Sequence, residues 1–490
     1  MRPANDSMKF PNRRIPERNW TAALRVLCAA GLLAGCAVGP DFKRPAMAVP
    51  PAFKEDAGWK SASPSDGVDR GPWWEVLGDA QLSDLEVTVA TSNQSILQAA
   101  ANYEEARQIA RSDRTAYLPT VSAAGSAGRS RSPAAVSPTG QAITASNYSA
   151  QLQASWEPDL WGKIRRTVEA DVAGAQAGAA DLASTRLSSQ AAVAQDYVDL
   201  RAADDKIRLL EGAVAAYRRT LKITQDKYSV GVAARSDVIT AQTQLDGARA
   251  QLIDAGIARA QLEHAIAVLL GKAPADFSIP RRADFGFTIP EVPAQMASTL
   301  LERRPDIAAA EREAAEANAR IGIQTAAYFP DISITGAAGY EGETLSHLIS
   351  EPYKFWTLGA QATDALLDWG QRHDLVLSAK AAYEASAANY RQTVLTALQQ
   401  VEDNLAGIRI LKQEAAVEDV AVSEAAQAAQ IALNEYDAGT VDFTTVAAAQ
   451  VTELTDRETA LAIRQEELNS SIALIQALGG GWKTSDLPNP

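Results

Sequence analysis

Shifted by 208 residues, the chain overlays itself. Tyr228 then meets Tyr436, Gly231 meets Gly439 and Val238 meets Val446. Ala241-Gln242 meets Ala449-Gln450, Leu270-Gly271 meets Leu478-Gly479, and Trp161-Gly162 meets Trp369-Gly370. Upstream the shift becomes 211, where Ala116-Tyr117 and Pro119 meet Ala327-Tyr328 and Pro330. Chance can align alanines at one offset, but not Tyr, Trp, Gly and Pro together. The chain is therefore a duplication, and whatever one half folds into the other half must fold into as well.

Each half follows one plan. A helical stretch of roughly 35 residues, Gln81–Tyr117 and Pro293–Tyr328, stops before Pro119 and Pro330, because proline disfavours helical geometry in the residue before it. About 40 residues of strand character follow. Then come a very long helix, Lys163–Asp226 and Gln371–Asn434, a glycine-containing turn, and a last helix, Ser236–Leu270 and Thr444–Leu478. Abundant alanine with only 6% aromatic residues suits such helices. Val193, Leu200, Ile207, Val214, Leu221 and Tyr228 recur every seven residues, with Ala203, Leu210, Tyr217 and Thr224 three positions later. Val394, Val401 and Ile408 do the same in the second half, with Leu398 and Leu405 between. A sustained seven-residue repeat predicts supercoiled helices. At 1.5 Å per residue such a helix is roughly 100 Å long, more than a globular domain needs and enough to cross a periplasm.

The strands alternate with period two. Tyr148, Ala150, Leu152, Ala154 and Trp156 are apolar between Ser149, Gln151, Gln153 and Ser155. Trp356, Leu358, Ala360 and Ala362 alternate with Thr357, Gly359, Gln361 and Thr363, and Ile332, Ile334, Ala338 and Tyr340 suit the strand before them. A weakly apolar face with aromatics near its ends fits a membrane strand of about 9–11 residues. Two strands per half make four per chain, too few to close a barrel, and an open edge in lipid leaves backbone groups unpaired. Several chains must then share one barrel. Two chains give eight strands with an interior filled by side chains; three give twelve strands with a passage inside and twelve long helices below.

The leader says where the chain goes. Arg2, Lys9, Arg13, Arg14, Arg18 and Arg25 against Asp6 and Glu17 give residues 1–25 a net charge of +4. An apolar run follows and ends in Leu33-Ala34-Gly35-Cys36, which reads as a bacterial lipoprotein signal with Cys36 as the lipid-bearing first residue of the mature chain. Two or more acyl chains give stable anchoring. Ala37 after it, rather than Asp, favours outer membrane sorting. Cys28 leaves with the signal, so the mature chain carries no disulfide. Removing the +4 leader from a net charge of −14 leaves −18, the wrong sign for a nucleic-acid binder. The longest apolar stretch, Val26–Ala34, is far short of the about 20 residues of a spanning helix.

Further motifs carry a resemblance. They are Cys36-Ala37-Val38-Gly39-Pro40-Asp41-Phe42 with Pro45; Trp73-Trp74 with Asp79 and Leu82; Trp156-Glu157 with Asp159-Leu160-Trp161-Gly162-Lys163; and Ala477-Leu478-Gly479-Gly480-Gly481-Trp482. Over residues 36–482 the chain resembles the TolC-like outer membrane factors, in particular the lipoprotein branch of drug-efflux outer membrane proteins (NodT/OprM type). The resemblance implies a mainly α protein with a membrane β-barrel part: a homotrimer whose twelve-stranded outer membrane barrel stands on a twelve-helix periplasmic tunnel. Its partners would be a periplasmic adaptor and an inner-membrane pump of the RND type, which hand substrates to it. The expected organisation is a signal peptide (1–35), a lipid-anchored strap (36–72), two efflux repeats (73–278 and 279–482) and a C-terminal tail (483–490).

The turns after Tyr228 and Tyr436 should form the periplasmic tip, with Tyr228, Gly231, Ser236, Asp237, Tyr436, Gly439 and Phe443 as docking candidates. The family narrows its tunnel with tip aspartates, whose positions in the second half hold Thr445 and Ala448 here. Asp442 and Thr445 are the constriction candidates, with Asp237 as the corresponding acid of the first half. Asp442 can equally be a solvated helix-start residue. No metal or cofactor site is expected beyond the lipid on Cys36, because His264, His347 and His373 are scattered and no nucleotide-binding glycine loop is present. No enzymatic constellation stands out. An outer component for type I protein secretion or metal efflux would share the fold. A periplasmic adaptor would need one hairpin between β-rich domains, and a structural coiled-coil lipoprotein would need no strands.

Overall fold

The computed structural model describes residues 37–48, 50, 53–55, 72–136, 140–282, 286–287, 303–482 and 487. In chain order its principal elements are α1 (Ala80–Ser92), α2 (Gln94–Arg114), β1 (Thr120–Ser132), β2 (Ile143–Trp156), α3 (Lys163–Ser229) and α4 (Arg235–Leu269). They continue with α5 (Pro305–Ala326), β3 (Asp331–Gly342), β4 (Lys354–Thr363), α6 (Gln371–Ala438) and α7 (Phe443–Ala477). Two compact units form, one from residues 1–41, 114–168 and 319–378, the other from 42–113, 169–318 and 379–490. Cys36, the leader, most of the strap and most of the tail lie outside the described residues.

The first unit carries a four-stranded antiparallel sheet in the order β1-β2-β3-β4. Thr120 pairs with Ser155 in the first hairpin and Asp331 with Thr363 in the second. The first strands of the hairpins thus differ by 211 and the second strands by 208. The change of shift seen in the sequence is three extra residues between the paired strands of the first hairpin. Leu152, Trp356 and Leu358 are exposed on the sheet, as a lipid-facing surface requires.

The second unit is helical. Val193, Leu200, Ile207, Val214 and Leu221 of α3 are all buried, as are Leu210, Tyr217 and Thr224. Tyr228 breaks the series: it is 47% exposed, one residue before the helix ends. Val394, Val401, Leu405 and Ile408 of α6 are buried. The long helices run to Ser229 and Ala438, three and four residues beyond the expected ends. The expected helix Gln81–Tyr117 is broken at Asn93, which is extended (φ −65°, ψ 125°). Its side chain accepts from the N–H of Ile96 (3.0 Å) and donates to the carbonyl of Leu269 (2.7 Å), so it starts α2 and ties it to the end of α4. Residues 293–302 of the second expected helix lie outside the described residues.

Part of the low-complexity strap is seated firmly. Met47 packs on Ile307, Tyr390 and Val394, while Phe53 packs on Val401, Leu405 and Leu474. Glu402 accepts from the N–H groups of Lys54 (2.7 Å) and Glu55 (2.9 Å), and Arg409 pairs with Glu55 at 2.6 Å.

Candidate functional site

The two turns close by the same hydrogen bonds. Gly231 donates to the carbonyl of Tyr228 (3.0 Å) and Val232 to that of Lys227 (2.9 Å); Gly439 donates to Tyr436 (3.0 Å) and Thr440 to Glu435 (2.9 Å). Both glycines need positive φ, 79° and 77°, the left-handed region that ends helices. This satisfies carbonyls that a helix terminus leaves without partners.

The helices that start after the turns are both capped at their N-termini, by acids at different positions. Asp442 is the N-cap of α7, and its carboxylate accepts from the N–H of Thr445 (3.1 Å) and the hydroxyls of Thr445 (2.9 Å) and Thr444 (2.7 Å). These bonds, that of the Thr444 hydroxyl foremost, hold the carboxyl below its ordinary value, so the exposed group stays charged. In the first half the equivalent N-cap is Ala234, and Asp237, three residues on, reaches back to the N–H of Ala234 (3.2 Å). Asp237 aligns with Thr445, not with Asp442. The two acids do the same work from different positions, which corrects the expected correspondence.

Burial separates the halves further. Tyr436 and Phe443 stack edge to face at 5.6 Å inside a cluster with Val214, Tyr217, Leu221, Leu245 and Val446. Both were docking candidates, yet they hold the turn from within. Tyr228, Val230 and Val232 of the first turn are exposed instead. Lys227 joins the two turns: its ammonium donates to the carbonyls of Tyr436 (2.9 Å) and Asp437 (2.8 Å) and lies over the Tyr436 ring. Below it Gln450 donates to Thr220 (3.0 Å) and its carbonyl accepts from Tyr217 (3.2 Å). The sequence held a signal for Lys227, since its counterpart at the 208 shift is Glu435, of opposite charge.

The sheet unit has its own junction. Trp161 stacks on Phe329 (4.9 Å between centroids) and its indole N–H donates to the carbonyl of Pro330 (2.8 Å). Val38 donates to the carbonyl of Trp161 (3.1 Å), and Ala37 lies where a Cβ on Gly162 would be. Arg166, almost wholly buried, donates to the carbonyls of Val38 and Gly39 (3.2 Å each) and to Asp41 (2.8 Å). Gly39 sits against Gly322, too close for any side chain. The residue after Cys36 is thus fixed at the foot of β2.

The family model described as "Outer membrane efflux protein" matches residues 87–272 and again 296–480. The chain belongs to the outer membrane efflux protein family. It is 31% identical to the probable efflux pump outer membrane protein TtgC of Pseudomonas putida over 94% of this chain and 95% of the relative. It is 30% identical, over the same shares, to the toluene efflux pump outer membrane protein TtgC of another strain of that species. Among solved structures, the outer-membrane channel OprN superposes with a TM-score of 0.86 at 27% identity, covering 91% of this chain and all of that one. This outer membrane efflux protein is therefore the outer membrane component of an efflux system, with a long periplasmic part. Its Trp73-Trp74, Asp79 and Leu82 motif is structural: Trp73 and Leu82 are buried, and Asp79 caps α1 by accepting from Gln81 and Leu82.

Proposed function

We propose that three copies form one passive channel, without chemistry of its own, through which small toxic molecules leave the cell after a periplasmic adaptor and an RND-type pump deliver them. The open sheet carries this reading: β1 and β4 each pair on one side only, and such edges are unfavourable in lipid. Three chains bring twelve strands and close the ring. The lipid on Cys36 would enter the inner leaflet at the strand foot, where Ala37 and Arg166 hold the strap. Relatives named for toluene and antibiotic efflux support apolar and amphiphilic cargo.

The adaptor would meet the tip through the exposed Tyr228, Val230 and Val232, an apolar patch beside the Lys227 clasp. Asp442, charged and exposed, would supply three carboxylates to the tip of the tunnel and make it favour cations. Conductance in planar bilayers tests both the channel and the charge. Asn is as good an N-cap as Asp, so Asp442→Asn keeps the turn while removing the charge. Pores with lower cation selectivity in Asp442→Asn are expected. Unchanged selectivity removes Asp442 from the constriction, and absence of any pore in the wild type removes the channel.

A further inference from the structure

We propose that Trp369 is an intersubunit clasp: it seats on Leu118 and Pro119 of the partner subunit, and with it β4 pairs with the partner's β1 in a register that the internal duplication dictates. This rests on the shared barrel proposed above but adds which residues meet. Within one chain, β2 is followed by Trp161, which stacks on Phe329 and donates to the carbonyl of Pro330, the residue that precedes the neighbouring strand β3. Under the 208 shift Trp161 becomes Trp369, which follows β4. Under the 211 shift Phe329-Pro330 becomes Leu118-Pro119, which precedes β1. The seat and its occupant therefore both exist a second time, at the two outer edges of the sheet.

In the single chain both halves of this second junction are bare. Trp369 is 89% exposed and Leu118 is 67% exposed. Nothing lies within 4 Å of where a Cβ on Gly370 would be, whereas the matching space at Gly162 holds Ala37. Trp369 is also the one non-glycine among the described residues with a positive φ, 54°, a conformation bulky residues rarely adopt. Its seated counterpart Trp161 does not share it. An indole this exposed, next to an unpaired strand edge and in the same Trp-Gly step at the same place after a strand as one that is seated, fits a second copy of this chain.

The register follows from the observed β2–β3 pairing. Tyr148 pairs with Gly342 and Leu152 with Ala338. Carrying the first residue of each pair forward by 208 and the second back by 211 places Trp356 opposite Arg131 and Ala360 opposite Ala127 of the partner subunit. The same two shifts convert the observed β1–β2 register into the observed β3–β4 register, so the rule already holds for the hairpins.

Paired cysteines test it in the full chain in its own membrane. Directly opposed residues lie about 4.5–5.5 Å apart at Cα, inside the disulfide range of about 4.4–6.8 Å, and diagonal neighbours do not. Oxidation of the Ala127→Cys, Ala360→Cys double variant should give dimer and trimer bands that a reductant reverses; either single variant should give none. The two-residue mismatch, Ala127→Cys with Ala362→Cys, should crosslink far less. Trp369→Ala should lower the temperature at which the assembly falls to single chains on gels. Crosslinking of the mismatched pair in preference, or none in a preparation whose mass is three chains, overturns the register and leaves the shared barrel standing. An unchanged dissociation temperature in Trp369→Ala overturns the clasp. A mass of one chain defeats the shared barrel itself.

Discussion

Glu86 sits on α1 with no exposed surface, and neither carboxylate oxygen meets a donor. Burial pushes its carboxyl up to about 9 from 4.5. The folded chain therefore holds a proton that the unfolded chain releases between those values. Stability from this group is full below about pH 4.5 and falls as pH rises toward 9, by up to about 1.4 kcal/mol per pH unit. Denaturation midpoints from pH 6 to 9 should fall more steeply with rising pH in the wild type than in Glu86→Gln, because the raised carboxyl of Asp196, at about 6, acts below that range. The opposite case lies on α3, where Arg201 and Asp204 are both buried and paired at 2.9 Å, and Asp204 also takes Arg259 at 2.7 Å. Asp204→Ala leaves the buried Arg201 guanidinium without its anion, while Arg259 keeps Glu263 at 2.9 Å, and should cost about 3 kcal/mol in chemical denaturation. The sequence shows a charge at each of these positions, but not which one is matched. Arg201 and Asp204 are one helical turn apart, but Asp204 also joins Arg259, 55 positions on, and local pattern says nothing at that range.

Helices and turns were the most legible level. The seven-residue spacing named the buried stripe of α3 because periodicity alone decides which residues share a face. It fails at Tyr228, where the spacing continues in sequence but α3 ends one residue later and the side chain is exposed. Asn93 escapes the sequence reading for a related reason: inside a long helical pattern a single Asn looks tolerable, and only in the fold does it cap α2 through the Ile96 N–H while donating to the carbonyl of Leu269. Glycines divide by what surrounds them. A Cβ on Gly439 meets nothing, so Gly439→Ala should cost only the left-handed backbone, about 1 kcal/mol. A Cβ on Gly479 would collide with the carbonyl oxygen of Arg303, so Gly479→Ala should lower the unfolding midpoint considerably more. Equal midpoints for the two variants would show that φ, not space, limits both sites.

At the scale of the molecule, the strand count carries the prediction. Four strands with two open edges call for further chains, and light scattering in detergent should give a mass of three. The two turns differ by half: the first presents Tyr228, Val230 and Val232, while the second hides Tyr436 and Phe443. Lys227→Ala should loosen the join between them, read as faster proteolysis at the turns with the sheet unaffected.

Duplication, helix spacing, turn glycines and the two shifts that govern strand register were all present in the sequence, since each depends on neighbours a few residues away or on simple repetition. Tertiary structure decided what repetition could not. One Tyr of a matched pair is inside and the other outside. One capping acid stands at the N-cap and the other three residues later. One Trp is seated within its own chain while its twin is bare. Copies with the same local sequence acquire different surroundings once folded, because the four-stranded sheet has an inner pair of strands and two outer edges, and the copies cannot occupy the same place in it.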